Sequence, residues 1–261
     1  MSYRGLSQST IVITGAARGI GAAIAAHSAQ AGANLVLADL NATALGKTAA
    51  DLRAGGASVI EHAIDITDAA SVQQMAADTE KRFGKIDGLA NVAAILYVEN
   101  LLEQDQGNFA RTMQVNITGT FLVTQAVGQV MARQKRGSIV TIGSVAGKFP
   151  RMHQGAYCTS KAAQIMLTHA FGLELAASGV RCNCVSPGPT ETDMVRDLIA
   201  QFGSADRFIH GVPEEFRGGM PLGQMIRPDS LASAVLWLLS DDSAQVTMQH
   251  IAVDGGQSLG I

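Results

Sequence analysis

The chain has 261 residues, of which 47% are hydrophobic, only 5% are aromatic and 28 are glycine. Its formal net charge of −3 gives no reason to expect a nucleic-acid partner, and no uncharged apolar run is long enough to span a bilayer. The first residues carry no apolar segment before a cleavage site, and the three cysteines lack the spacing of a disulfide framework or a metal site. We therefore expect one cytoplasmic α/β domain over residues 1–261 that holds no metal.

The first predicted elements are a strand, a glycine-rich turn and a helix. The β-branched run Thr10–Thr14 predicts a buried strand, and residues 22–31 predict a helix. Between them, the spacing TGxxxGxG is formed with Gly15, Gly19 and Gly21. Gly15 permits a tight turn, Gly19 lets the backbone approach a pyrophosphate, and Gly21 lets the helix pack close to the strand. This setting predicts a dinucleotide-binding loop.

The second predicted strand, residues 34–40, carries Asp39 close to its end. In a dinucleotide fold, this position faces the adenosine ribose, where a carboxylate accepts from both hydroxyls and repels a 2′-phosphate. Arg18 could instead pair with a 2′-phosphate. The like-charge repulsion from Asp39 acts at short range in a partly desolvated site, so we predict NAD rather than NADP.

Two helix–strand pairs are predicted next, at 42–54 and 58–62 and at 69–83 and 88–91. Asp65, beside Ile66, follows the first of these strands, and its carboxylate could accept a hydrogen bond from an adenine amino group. Asn91 ends the second strand and opens a run of small residues that would let the cofactor ribose pass close to the backbone. These positions are candidate cofactor contacts.

Residues 106–134 predict one long helix with Asn116 in its middle, in the apolar context VNITGTFLV. Asparagine is unfavourable inside a helix. Its side chain therefore either hydrogen-bonds to a neighbouring helix or loop, or distorts the helix to hold a water that joins Lys161 to solvent. Position alone does not decide between these alternatives.

Ser144, Tyr157 and Lys161 follow in a single stretch. Ser144 ends the apolar run 138–143, a predicted buried strand, so its hydroxyl lies where open α/β sheets bind ligands. Tyr157 and Lys161 are four residues apart, which places them on one face of a helix. A phenol titrates near pH ~10, and an adjacent lysine cation lowers that pKa. The pattern predicts a tyrosine that accepts a proton from an alcohol, although the same spacing alone is typical of an ordinary surface helix.

The predicted helix after Tyr157 continues to about residue 177, and a strand follows at 181–185. Its apolar stripe predicts core or subunit contact at Ala162, Ile165, Met166, Ala170 and Leu173. After the strand, Pro187 and Gly188 form a rigid turn. Thr190 and Thr192 could bond a nicotinamide amide or merely cap the next helix.

Residues 193–220 are less regular than the rest of the chain. We predict that they form a flexible flap over the substrate, with Met194 at its beginning. Residues 228–239 predict a final amphipathic helix, and 251–254 predict a closing strand.

With these elements in order, the chain resembles the short-chain dehydrogenase/reductase family over essentially its whole length. The matching motifs are Thr14-Gly15-xxx-Gly19-Ile20-Gly21, Asp39, Asp65, Asn91-x-Ala93, Asn116, Ser144, Tyr157-xxx-Lys161 and Pro187-Gly188 with Thr192. The resemblance implies a single-domain Rossmann-type fold, a doubly wound parallel sheet of about seven strands with helices on both faces, and a homotetramer. The expected cofactor contacts are Gly15, Arg18, Gly19, Ile20, Gly21, Asp39, Asp65, Ile66, Asn91, Lys161, Pro187, Gly188, Thr190 and Thr192.

The same resemblance implies the role of each catalytic residue. Tyr157 is the general base, and Ser144 orients the substrate oxygen. Lys161 holds the cofactor ribose and lowers the pKa of Tyr157. Asn116 anchors a water relay, which decides between the two alternatives for that residue. Ala94 stands where the family usually has glycine, a departure that removes no chemical group.

The second half of the chain resembles, more narrowly, the family members that oxidise a cyclohexadiene carboxylate in catechol siderophore synthesis. The similar segments are 149–151, 172–176, 179–183, 186–194 and 253–260. The resemblance implies NAD-dependent oxidation of the 3-hydroxyl of 2,3-dihydro-2,3-dihydroxybenzoate, after which the ring becomes aromatic.

Three residues are candidate substrate contacts: Arg151, Gln154 and Met194. The guanidinium of Arg151 is suited to a substrate carboxylate, and an exposed loop arginine is the alternative. Gln154 replaces a common methionine, and its amide would suit the 2-amino analogue, trans-2,3-dihydro-3-hydroxyanthranilate. An NADPH-dependent 3-oxoacyl carrier-protein reductase would share every catalytic residue, whereas a catalytically idle dinucleotide sensor would need none of them.

Overall fold

A parallel sheet of seven strands forms the centre of the protein. The computed structural model describes residues 3–260, so residues 1, 2 and 261 of the predicted domain lie outside the described residues. The strands are β1 (Thr10–Thr14), β2 (Asn34–Asp39), β3 (Val59–Ala63), β4 (Gly88–Asn91), β5 (Gly137–Ile142), β6 (Val180–Pro187), β7 (Gly211–Val212), β8 (Arg217–Gly218) and β9 (His250–Val253). The sheet has the order β3-β2-β1-β4-β5-β6-β9, and β7 and β8 form a separate antiparallel pair. This arrangement confirms the predicted doubly wound fold.

Helices cover both faces of the sheet. They are α1 (Gly19–Gln30), α2 (Ala42–Ala54), α3 (Ala69–Phe83), α4 (Gln106–Met113), α5 (Thr120–Gln134), α6 (Gly155–Leu175), α7 (Asp193–Phe202), α8 (Asp206–Ile209) and α9 (Pro228–Leu239). Along β1, Ile11 and Ile13 pack with α1, α2 and α9, whereas Val12 packs with α3 and α5 on the other face. Successive side chains of a strand point to opposite faces, so the continuous apolar run of β1 is buried on both sides.

The strand order reverses at β1, which lies between β2 and β4. Crossovers on the two sides of this point run in opposite directions, and a crevice opens outside the carboxyl ends of the strands. The glycine-rich loop after β1 and the small-residue run after β4 therefore meet at the same edge.

Two segments differ from their predicted form. The predicted helix over 106–134 is continuous but contains a π-helical stretch, Gln114–Gly119, between α4 and α5. The region predicted to be irregular, 193–220, instead contains α7, α8 and the β7–β8 pair. The α7 helix buries Leu198, its N-cap is Thr192 and its C-cap is Gly203.

Replacement of Gly21 by alanine tests the close packing of α1 on the glycine-rich loop. A Cβ at Gly21 would lie 2.1 Å from the Gly15 carbonyl oxygen, which is backbone and has little room to move. We expect Gly21→Ala to lower the free energy of unfolding in chemical denaturation by about 3 kcal/mol. Gly46→Ala is the matched control, since a Cβ at that position in α2 meets nothing within 4 Å. The control should raise the free energy of unfolding slightly. Equal free energies of unfolding for the two variants would contradict the packing argument.

Candidate active site

A cleft of about 560 Å³ lies at the carboxyl ends of the strands, within the usual size of a small-molecule site. It is lined by the predicted cofactor residues Gly15, Arg18, Gly19, Ile20, Asp39, Asp65, Ile66 and Thr192, and by the predicted substrate residue Met194. A smaller cavity of about 310 Å³ is lined by residues at the opposite edge of the sheet, among them Gly88, Gly137 and Val180 at the amino ends of their strands. Ligands of open α/β sheets bind at the carboxyl ends, so the first cleft is the candidate site.

The glycine-rich loop is fixed against the irregular segment that follows β4. Gly15 has φ +64°, and a Cβ there would lie 2.8 Å from the Ala93 nitrogen, so both conformation and space require glycine. Thr14, which had no predicted role of its own, holds this contact, because its hydroxyl accepts from the Val92 (3.0 Å) and Ala93 (3.3 Å) nitrogens.

The amino end of α1 is suited to a phosphate group. Within the described residues, no side chain caps the first turn of α1, and its N-cap residue Arg18 extends into the solvent. Gly19 has φ +56° and lies against Thr192. Backbone N–H groups at an uncapped helix start favour an anion, so these residues fit the pyrophosphate of a dinucleotide.

Asp39 is fixed at the cleft by backbone donors. Its Oδ2 accepts from the Ala17 nitrogen at 3.0 Å, and its Oδ1 accepts from the Asn41 nitrogen at 2.9 Å. Each carboxylate oxygen can accept a second hydrogen bond. The carboxylate therefore lies in the cleft in one orientation and retains acceptor capacity.

Asp65 also lies at the cleft, next to a residue that the sequence did not reveal. Arg111 on α4 donates to Asp65 Oδ2 at 2.9 Å, and Thr67 donates to Oδ1 through its nitrogen and hydroxyl. Burial alone would raise the pKa of Asp65, but the bonds from Arg111 and Thr67 outweigh it and lower that pKa. Arg111 is 46 positions from Asp65, and no local pattern indicates the pair.

Several predicted cofactor residues do not line the cleft. Asn91 is buried and donates from Nδ2 to the Thr124 hydroxyl at 2.9 Å. The Thr190 hydroxyl donates to the Gly188 carbonyl oxygen. Thr192, in contrast, lines the cleft and caps α7. The remaining residues outside the lining are Gly21, Pro187, Gly188 and Lys161.

Ser144, Tyr157 and Lys161 lie close together where α6 meets the end of β5. The Lys161 Nζ lies 5.5 Å from the centroid of the Tyr157 ring and donates to the Ile142 carbonyl at 2.8 Å. Ser144 follows β5, and its hydroxyl accepts from the Ala146 nitrogen. Burial lowers the pKa of Lys161 to about 8.

Burial also raises the pKa of Tyr157 to about 12, and the nearby Ser144 hydroxyl opposes part of that rise. Burial therefore sets the net direction for Tyr157, and the lowering of its pKa by Lys161 stays a prediction. Burial disfavours the charged phenolate, and the ammonium lies 5.5 Å from the ring centroid.

The Asn116 side chain hydrogen-bonds to a neighbouring loop and helix, which is the first of the two predicted alternatives. The helix that carries it is also distorted at this position. The Asn116 Oδ1 accepts from the Ile95 nitrogen, and its Nδ2 donates to the Ile95 carbonyl and the Ser160 hydroxyl, each at 2.9 Å. Asn116 is fully buried in the π-helical stretch. Its side chain therefore joins the loop after β4 to α6, and the water relay stays a prediction.

Two guanidinium groups lie next to α6, the helix that carries Tyr157. Arg151 is half-buried, and burial lowers its pKa. Arg217 of β8, which the sequence did not reveal, is half-buried over the Phe208 ring at 4.7 Å. Burial, together with the charges of Arg151 and Arg207, lowers the pKa of Arg217 to about 10. Among residues 3–260, no carboxylate lies within 4 Å of either Arg151 or Arg217.

Comparison with known proteins identifies the family and agrees with the fold. A family model described as enoyl-(acyl carrier protein) reductase matches residues 15–258. The 2,3-dihydro-2,3-dihydroxybenzoate dehydrogenase of Bacillus subtilis is 40% identical over 261 residues, 100% of both chains. The vibriobactin-specific 2,3-dihydro-2,3-dihydroxybenzoate dehydrogenase of Vibrio cholerae is 36% identical over 99% of both chains. The structure of an NAD+-bound xylitol dehydrogenase superposes with a TM-score of 0.88 at 30% identity, covering 97% of this chain and 100% of that one.

The chain therefore belongs to the short-chain dehydrogenase/reductase family. Dehydrogenases of this family bind nicotinamide cofactors, and the protein is an oxidoreductase of this kind. Within the described residues, no helix is long and apolar enough to cross a membrane.

Proposed function

We propose that the protein oxidises the 3-hydroxyl of 2,3-dihydro-2,3-dihydroxybenzoate with NAD, as a step in siderophore-type biosynthesis. The observation that carries the proposal is the pair Arg151 and Arg217, next to the helix of Tyr157, whose guanidinium groups have no carboxylate within 4 Å in the described part of the chain. Two similar charges in a partly desolvated site favour an anion between them. The names of the Bacillus and Vibrio relatives support a cyclic carboxylate as that anion.

The chemistry follows from the positions of the side chains. Ser144 orients the 3-hydroxyl, and the Tyr157 phenolate takes its proton as the C3–H hydride leaves and the C3=O bond forms. When bound, NAD would supply the acceptor for that hydride, and Lys161 would hold the cofactor ribose. Loss of the C2 proton to solvent and protonation of the C3 oxygen then make the ring aromatic, which makes the overall oxidation strongly favourable.

Tyr157→Phe removes the proton acceptor and leaves the ring in place. We expect turnover with the dihydro acid and NAD to fall by about 10²–10⁴-fold or more. The dissociation constant for NAD should change little, because no proposed cofactor contact is lost. Absorbance of the catechol product measures the first quantity and titration calorimetry the second. Substantial residual turnover in this variant would refute Tyr157 as the base.

The preference for NAD is tested at Asp39. A 2′-phosphate beside this carboxylate would cost several kcal/mol, so we expect kcat/KM to favour NAD over NADP by about 10²-fold or more. Asp39→Asn should reduce the ratio at least about tenfold by removing the charge. Asp65→Asn is the control, since Asp65 lies at the same cleft but is paired with Arg111. A wild-type preference for NADPH would instead support the 3-oxoacyl carrier-protein reductase alternative.

Recognition of the carboxylate is tested by Arg151→Gln and Arg217→Gln. Each change removes one charge but keeps polar donors, so KM for the acid should rise about 10-fold to 100-fold, the equivalent of one lost charged hydrogen bond. The kcat should change less, because neither residue contacts the reacting hydroxyl. The KM for the matching diol without a carboxylate should not change. Arg133→Gln, in an exposed pair with Glu80 away from the cleft, controls for net charge.

The 2-amino analogue, trans-2,3-dihydro-3-hydroxyanthranilate, is a second candidate substrate. Gln154 is 7% exposed, and its side-chain amide makes no hydrogen bond to another part of the chain between residues 3 and 260. An amide with free acceptor capacity suits a ring amine. Parallel assays of the two acids with NAD decide between them.

We further propose a cytoplasmic homotetramer with a mobile flap at 193–220. Met166 and Leu173 are exposed on α6, as a subunit contact through the predicted apolar stripe requires. The free thiols of Cys158, Cys182 and Cys184 agree with a reducing compartment.

A further inference from the structure

Gln164 is a buried polar side chain one turn after Lys161 and has no part in the roles described above. It is 1% exposed, and its amide makes three hydrogen bonds. Its Nε2 donates to the Asn116 carbonyl at 2.6 Å and to the Thr120 hydroxyl at 2.8 Å, and its Oε1 accepts from Lys161 Nζ at 2.8 Å. Both donors are thus committed, which fixes the direction of the acceptor oxygen toward the lysine.

The π-helical stretch explains why the Asn116 carbonyl is free to accept. The Thr120 N–H bonds to the Ile117 carbonyl rather than to that of Asn116. The buried Asn116 carbonyl instead accepts from the Thr120 hydroxyl and from the Gln164 amide, so side chains satisfy this backbone group. The distortion at Asn116 and the amide of Gln164 are therefore two parts of one arrangement.

We propose that Gln164 is a positioning residue that holds the Lys161 ammonium in place and in its charged form. Its amide makes the link between the Asn116 backbone and Lys161 for which a water was expected. The Gln164 and Ile142 oxygens take two of the three N–H groups of the ammonium. One N–H is left for a cofactor ribose, so the inference rests on the role proposed for Lys161.

Few titratable groups face the ammonium. The Tyr157 phenol lies on its own helix, and the Cys184 thiol lies on β6, where burial raises its pKa to about 11 and keeps it neutral. The neighbouring segments Gln114–Gly119, Gly137–Ile142 and Val145–Gly147 contain no titratable side chain. Hydrogen-bond acceptors therefore decide how readily Lys161 keeps its proton.

The charge state of Lys161 can be measured directly in the full-length protein without cofactor. The chain has six lysines, so NMR of ¹³Cε-labelled lysine gives few signals, and the Lys161 signal is assigned by its loss in Lys161→Met. We expect Gln164→Met, which keeps the side-chain volume and removes the acceptor, to lower the pKa of Lys161 by about one unit. Gln164→Glu, which offers a carboxylate acceptor, should raise it.

Thr168→Val is the matched control, because it removes a buried hydroxyl that bonds the Gln164 backbone and leaves the amide in place. The Lys161 pKa should then stay within about 0.3 unit of wild type. An unchanged Lys161 pKa in Gln164→Met overturns the proposal, whatever happens to stability. If Gln164→Met does not fold, an unchanged Lys161 pKa in Gln164→Glu overturns the proposal instead.

A second readout is the alkaline limb of the pH profile of kcat/KM, which should move with the Lys161 pKa in each variant. A limb that stays in place while the pKa moves overturns the link to the reaction. Absence of wild-type turnover with any cyclic dihydro acid would refute the proposed function instead, and the NMR titration would still decide the role of Gln164.

Discussion

Burial of the Lys161 ammonium is the constraint on which the active site depends. The side chain is 2% exposed, and a buried charge is tolerated only where hydrogen-bond partners replace water. One partner is the carbonyl of Ile142, the last residue of β5, at 2.8 Å. This bond ties α6 to the strand two residues before Ser144. The phenol and the serine hydroxyl are thereby brought together, although they lie on different elements.

Two glycines that follow β5 leave room for close packing, one of them against α6. A Cβ at Gly147 would lie 2.9 Å from the Lys161 backbone carbon, and one at Gly143 would lie 2.6 Å from the Ser186 hydroxyl. Neither glycine belongs to the dinucleotide motif. Gly147 therefore allows the α6 backbone to approach the segment after β5, whereas Gly143 leaves room for the side chains of β6.

Much of the site could be predicted because local patterns determine it. Asp39 follows a strand whose neighbours are parallel, so its place beside the glycine-rich loop follows from sheet geometry. The raised pKa of Tyr157 could not be predicted, since burial depends on the whole fold. Pairs such as Asp65 with Arg111, and the approach of Arg217 to Arg151, join distant parts of the chain and leave no periodic signal. Gln164 had no assigned role in the sequence, because its partners Asn116 and Thr120 lie more than 40 positions away.

The lysine also sets a conflict between stability and function. Burial lowers its pKa from 10.5 to about 8, so between these values the unfolded chain binds more protons than the folded one, and stability rises with pH. Below pH 8, burial of the charged lysine lowers the free energy of unfolding by its full amount, about 3 kcal/mol. That is a large part of the usual stability of a domain. Two well-placed acceptors keep the penalty from becoming larger, and each also orients the ammonium. The interactions that make the charge tolerable therefore also fix its position next to Tyr157.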